Sequence, residues 1–430
     1  MIKNLAQTTF STLAVFCLAA LTAVSCAPSG GPPTAEMRPA QVRMPFVRAL
    51  LSDNTTETTI GGAGSVAIEC RRDDESFVYY SPRSVRVRVR GNRVALLNSS
   101  GAVIEDALEQ VTVSTRAKRQ TLWVDGQTYR GMMRVYPGEN ALVIVNLVYI
   151  EDYLKGVVPP EIGPVTDNDT EAIKAQAIAA RTYTIAHLGQ YSKKPYDVKT
   201  DVSDQLYNGS AVEQDMISNA VTLTEGEIAR YDGDFINAYY HSTCGGHTDY
   251  IENVWDKEAR PYLAGVSCRE MCEPSKYYRW NETFTGSELA RRVSLYETAL
   301  RGREITYRRI DSVYTDNSDS LRASVGLRTQ ALVIVADSVR LVYKRDRIRW
   351  VLGRASDPDR ILQSDYFDLR NVTRAADGGV GSVTLSGRGY GHGVGMCQMG
   401  ALGMARSEMG FSYRDILKRY YTGITIERLY

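Results

Sequence analysis

The stretch ALVIVNLVYIEDYLKGVVPPEIGPVTDNDTEAIKAQAIAARTYTIAHLG, residues 141–189, sets a strand and two helices one after another. Ala141 to Val145 is a short unbroken apolar run of the buried-strand type. From Glu151 to Val158 the apolar residues Tyr153, Leu154, Val157 and Val158 suit a short helix, predicted to end before Pro159-Pro160 because a residue preceding proline is pushed out of the helical region. Asn168 and Glu171 stand three apart as a capping-box-like pair, opening a helix that runs to Gly189. Its many alanines permit close backbone approach.

Upstream, residues 46–140 read as a β-rich module. Val85, Val87 and Val89 alternate with Arg86, Arg88 and Arg90, so period two puts the valines on one face, and Gly91-Asn92 before Val94 and Leu96 is a hairpin signal. Residues 27–45 carry five prolines and Gly30-Gly31, a composition that behaves as an extended tether. Residues 1–26 have the form of a secretory signal: Lys3, then an uncharged run through Leu13, Phe16 and Leu21 to small residues and Cys26. The ending is that of a lipoprotein signal with Cys26 as the lipidated residue; ordinary cleavage near Ala27 is the alternative.

Downstream, Leu332 to Val335 and Val339 to Val342 are strand-like, and two helices are predicted over Met396 to Glu408 and Ser412 to Tyr421, the second opened by Ser412 with Asp415 three later. The fold class expected is α+β. In the whole chain of 430 residues, 51 Lys+Arg balance 50 Asp+Glu, which argues against nucleic acid as the partner. Aromatic usage leans to tyrosine, 27 Tyr against 8 Phe and 4 Trp, which suits a wet, sugar-like ligand and equally a β-rich exported protein.

Several stretches resemble the SpoIID/LytB family of bacterial cell-wall proteins: YLKGVVPPEI at 153–162, EAIKAQAIAARTYTIAH at 171–187, YDV at 196–198 with SDQLYNG at 203–209, AYYHSTCGGHT at 238–248, GRGYGHGVGMCQMGALGMA at 387–405 and YRDILKRYYTGITI at 413–426. The resemblance implies a SpoIID-like catalytic domain of mixed strands and helices over 141–430. It further implies peptidoglycan remodelling, either as a lytic transglycosylase on glycan strands stripped of stem peptides or as an enhancer of a cell-wall amidase.

Under that resemblance Glu161 aligns with the family's catalytic glutamate. A lytic transglycosylase needs only one carboxyl group, since the 6-hydroxyl of muramic acid attacks the anomeric carbon and the same group can give and then take a proton. Desolvation by Pro159, Pro160 and Ile162 would raise its pKa toward neutrality. Arg181, an arginine among small residues, suits a lactyl carboxylate or Glu161 itself, with a helix-edge ion pair as the alternative. Gln205 and Tyr207 are expected to hydrogen-bond and stack on sugars, His241 and Ser242 to line the site, and His392 and Gln398 to point into the glycan groove. Cys244 and His247, with Cys268 and Cys272, have the spacing of a structural zinc site; His241 as fourth ligand and a disulfide are the alternatives. Cys70 and Cys397 are left over. Cys397 stands where the family has serine, which argues against a Cys397–His392 hydrolase. A zinc amidase is disfavoured because four protein ligands leave no open position.

The expected protein is therefore an exported, lipid-anchored lytic transglycosylase facing the periplasm or cell wall. The alternative is a non-catalytic wall-binding activator of an N-acetylmuramoyl-L-alanine amidase. Partners in either case are peptidoglycan glycan strands, an amidase in the second, and a membrane through the lipid.

Overall fold

In the computed structural model, strand Ser84–Arg90 turns at Gly91-Asn92 and pairs antiparallel with Arg93–Leu97, Val85 and Val87 facing the core as the alternation requires. The structure describes residues 43–98, 100–116, 120–316, 328–357 and 359–430. The signal segment, Cys26 and the tether up to residue 42 lie outside the described residues. Among those described, no helix is long and apolar enough to cross a membrane.

Residues 46–149 supply nearly all of two packed sheets, so the fold is α+β with a β-rich front. One sheet has seven strands in the order 198–199, 46–55, 142–149, 132–137, 110–115, 66–72 and 75–81. The other has six: 127–129, 122–124, 57–62, 84–90, 93–97 and 103–108. Strand Leu142–Tyr149, the apolar run of the opening stretch, pairs on one side with Phe46–Thr55 and on the other with Met132–Pro137. Its buried residues join a core that continues from Val47 through the helices to Ile424.

Helix α1, Ile150–Ile162, differs from the expectation: it runs through Pro159 and Pro160 and carries Glu161 in its last turn. The physical reason is tertiary. Pro160 has no N–H for the carbonyl of Gly156, and that carbonyl instead accepts the N–H of Asn208 at 3.2 Å. The helical ladder closes at Gly163, whose N–H reaches Pro159 O at 3.1 Å with φ at 78°. Gly156 lets the 203–209 loop dock, because a Cβ there would lie 2.6 Å from Gly209 O and from the Tyr207 ring.

Helix α2, Thr170–Ala186, is buried almost all round, with Ala172, Ala175, Ala177, Ala179 and Ala180 at the core. Its cap also departs from the expectation. The capping box is Thr166 with Asp169 on a preceding 3₁₀ turn, and Glu171 instead accepts the N–H of Tyr413, at the start of helix Tyr413–Tyr420. That last helix has the Ser412–Asp415 capping box read from the sequence. A second, separate core lies within residues 279–388. Two three-stranded sheets and helices Gly286–Arg301 and Arg347–Leu352 enclose residues such as Trp280, Phe284, Leu332, Ile334, Ile348 and Leu385.

Helix propensity alone would make Gly156→Ala stabilising by about 1 kcal/mol. The 2.6 Å approaches reverse the sign, and the expected outcome in urea unfolding is a loss of about 1–3 kcal/mol.

Candidate active site and a four-thiol cluster

Glu161 sits half-buried at the end of α1 with two hydrogen bonds. Oε1 accepts the N–H of Leu206 at 2.8 Å, and Oε2 accepts from Gln398 Nε2 at 3.4 Å. Burial pushes its carboxyl up from the ordinary glutamate range to about 7, with the two donors pulling the other way. The structure thus brings together Glu161, the 203–209 loop and Gln398, three pieces far apart in sequence.

Gln205 and Tyr207 enter this arrangement differently from the expectation. Gln205 is fully buried: its Oε1 accepts from Thr184 at 2.8 Å and Tyr153 at 3.4 Å, and its Nε2 donates to the hydroxyl of Tyr240 at 2.8 Å. Tyr207 is 4% exposed, wedged between Tyr129 of the front sheets and Tyr153 of α1, and its hydroxyl donates to Asn146 at 2.8 Å. With no free face it cannot stack on a sugar. It fixes the loop that holds Leu206 against Glu161.

Arg181 likewise does not meet Glu161. It is 0% exposed and makes a bidentate pair with Glu151, at 2.8 and 2.7 Å, with further bonds to the carbonyls of Glu227 and Val221. An arginine this deep needs a carboxylate beside it, and the pair found with Glu151 is a buried one, not the helix-edge ion pair given as the alternative.

His241 and His392 stand 5.3 Å apart, ring to ring. The Nδ1–H of His241 donates to Val394 O at 3.2 Å; burial first, then His392 and Arg328, push its pKa well down. His392 donates from Nε2 to Tyr240 O at 2.9 Å and accepts at Nδ1 from the N–H of Val394 at 3.1 Å; burial lowers it to about 3. Both are neutral, and neither ring nitrogen of His392 meets Cys397. Ser242 is half-buried, its carbonyl accepting the N–H of Met399 at 3.0 Å. Tyr240, unremarked in the sequence apart from its place in AYYH, lies close enough to Glu161 for that charge to add to burial in raising its pKa. Only tertiary contact reveals it.

The metal set also needs correction. His247 turns away, its Nδ1 on the carbonyl of Thr248, and the fourth member beside Cys244, Cys268 and Cys272 is Cys397. All four are buried free thiols whose sulfurs lie within 4.8 Å of one another, two pairs at 3.5 Å. Disulfide sulfurs would be about 2.05 Å apart, whereas zinc bonds of about 2.3 Å in a tetrahedron need sulfurs about 3.8 Å apart. The donor set fits a closed, structural metal. Cys397 also accepts the N–H groups of Cys244 at 3.2 Å and Gly400 at 3.3 Å, capping helix Gln398–Ala405. Cys70 lies in strand Val66–Arg72 of the front sheets, so it is not Cys397's partner.

A family model described as "Stage II sporulation protein" matches residues 138–231, and one described as a domain of unknown function matches 269–395, spanning the second core. An uncharacterised protein of Brachyspira hyodysenteriae is 35% identical over 311 residues, 70% of this chain and 73% of that one. The stage II sporulation protein D of Bacillus amyloliquefaciens is 31% identical over 300 residues, covering 66% of this chain and 75% of the relative. The amidase enhancer of Bacillus subtilis is 30% identical over 300 residues, 64% of this chain but only 40% of the relative's length. The chain belongs to the SpoIID/LytB family.

The raised proton affinity of Glu161 has a consequence for stability. With its folded pKa near 7 and its unfolded pKa at the ordinary 4.5, the native state holds the proton more tightly, so stability is lost as pH rises from about 4.5 to about 7. Glu161→Gln should therefore be more stable than the wild type by up to about 3 kcal/mol at pH 8 and equal to it at pH 4, as measured by urea unfolding at the two pH values.

Proposed function

We propose that this protein is a lytic transglycosylase that cleaves peptide-stripped peptidoglycan glycan strands, with Glu161 as the single acid and base. Family membership supports a cell-wall role. The observation that carries the finer reading is a half-buried carboxyl whose pKa of about 7 leaves it substantially protonated at neutral pH, and whose two hydrogen bonds come from neutral donors, not from a second acid. Protonated Glu161 gives its proton to the glycosidic oxygen as that bond breaks. The 6-hydroxyl of the muramic residue then closes on its own anomeric carbon and returns a proton to Glu161. No water is consumed, a 1,6-anhydro end forms and the acid is regenerated. Gln398 and the Leu206 N–H stabilise the carboxylate that exists between the two transfers.

Zinc in the shell of Cys244, Cys268, Cys272 and Cys397 belongs to the same reading as a scaffold element. Bound there, it would supply structural cross-linking, and four protein sulfurs leave it no open position for substrate. Export and membrane anchoring through lipid on Cys26 complete the proposal. A second reading, a non-catalytic activator of an N-acetylmuramoyl-L-alanine amidase, draws on the similarity to a relative named amidase enhancer.

Mass spectrometry of peptide-stripped glycan incubated with the protein decides between them. Anhydro-muramic ends are expected with the wild type and not with Glu161→Gln; intact glycan with both would leave the activator reading. For the wild type, kcat/KM should fall about tenfold per pH unit above about pH 7, as the acid loses its proton. Cys397→Ser should lower bound zinc, measured by elemental analysis, and lower the melting temperature with it.

A further inference from the structure

Around Tyr239, the chain neighbour of Tyr240, buried and partly buried rings form a continuous strip. His187 stacks on Tyr183 at 4.0 Å, Tyr239 meets both, Trp255 lies 5.0 Å from Tyr239, and His392 lies 4.8 Å from Trp255. The strip is linked to the acid through Tyr240. Tyr240, the residue after Tyr239, accepts a hydrogen bond from His392 at its carbonyl and reaches Gln205, whose chain neighbour Leu206 holds Glu161.

At the strip's edge stands Lys257. Its exposed ammonium donates to the hydroxyl of Tyr239 at 2.7 Å and lies 4.9 Å from that ring and 5.2 Å from the Trp255 ring. The acids on either side of it in sequence are engaged elsewhere, Asp256 with Arg345 at 3.2 Å and Glu258 with Arg260 at 3.9 Å. Among the described residues no carboxylate pairs with Lys257. Its charge also reaches into the strip, where it lowers the pKa of His187, although burial is the larger cause. An ammonium has three donors, and one is spent on Tyr239.

We propose that Lys257 with Tyr239 and Trp255 forms a subsite for a sugar that carries a free carboxylate. The half-buried Tyr239 and Trp255 rings offer apolar surface to a pyranose, and the ammonium offers charge-assisted bonds to an acid at its rim. On the transglycosylase reading, on which this inference rests, the sugar is a muramic residue whose lactyl group has lost its stem peptide. A peptide amide at that position has no charge for Lys257 to bind, so the subsite selects stripped strands.

The test uses two glycans, one peptide-stripped with free carboxylates and one whose carboxylates have been converted to methyl amides. Binding is measured by calorimetry on the full chain carrying Glu161→Gln, so that no turnover intervenes. Adding Lys257→Met is expected to weaken binding of the charged glycan about tenfold and to leave the amidated glycan unchanged, while Lys257→Arg keeps the preference. Trp255→Ala should weaken both alike. Equal losses for the two glycans with Lys257→Met, no loss for either, or no binding of the charged glycan before the substitution would overturn the subsite. Formation of anhydro ends by the wild type reports separately on the underlying reaction. Cleavage without a Lys257-dependent preference removes the subsite and leaves the transglycosylase; a Lys257-dependent preference without cleavage does the reverse.

Discussion

The missing N–H of Pro160 is the constraint around which the site is arranged. An ordinary residue there would close a helical bond to Gly156 O and compete for that carbonyl. Freed, it binds Asn208, and the absent side chain of Gly156 gives the 203–209 loop room to lie against α1. The loop then presents the N–H of Leu206 to Glu161 further along the helix. The same loop is held from the other side by the front sheets, through Tyr129 against Tyr207 and Asn146 on its hydroxyl. The β-rich front thus contributes to the site mechanically, by fixing a loop that touches the acid.

Charge is distributed by the same logic. Arg181 with Glu151, Arg328 with Asp365 and Arg406 with Asp169 put each deeply buried ion beside an opposite one. A buried ion without such a partner would cost several kcal/mol. Glu161, like Asp249, departs from this: it is sheltered, yet its hydrogen bonds come only from an amide N–H and an amide side chain. A neutral carboxyl group tolerates that environment better than a carboxylate does, which is why its proton is held to about pH 7.

Local pattern was legible where neighbours in sequence decide the structure. The alternating valines of Ser84–Arg90, the Gly91-Asn92 turn, the strands around residues 331–344 and the Ser412–Asp415 cap all follow from period, turn chemistry or a three-residue spacing. The motifs also placed Glu161 and Gln398 in one site. What sequence could not carry was the identity of distant partners. Nothing in VVPPEI announces that Asn208 will take the role of the lost donor, and nothing near Arg181 singles out Glu151, thirty positions earlier. The C-x2-H spacing of Cys244 and His247 suggested a local fourth ligand, but the glycines between them turn the imidazole to Thr248 while a cysteine from the far end of the chain fills the shell.

That distant cysteine explains why the two ends of the motif series converge. Cys397 accepts two backbone N–H groups and caps the helix whose first residue is Gln398. Its strand, Met396–Cys397, lies parallel to Tyr240–His241. The sulfur cluster therefore fixes the position from which Gln398 reaches Oε2 of Glu161, just as the proline-freed carbonyl fixes the loop that reaches Oε1. Each oxygen of the acid is held by a separate part of the fold, one buttressed by the front sheets and the other by the thiols. Movement of either support changes a hydrogen bond that lowers the acid's pKa, so the proton affinity of Glu161 depends on both halves of the molecule being in register.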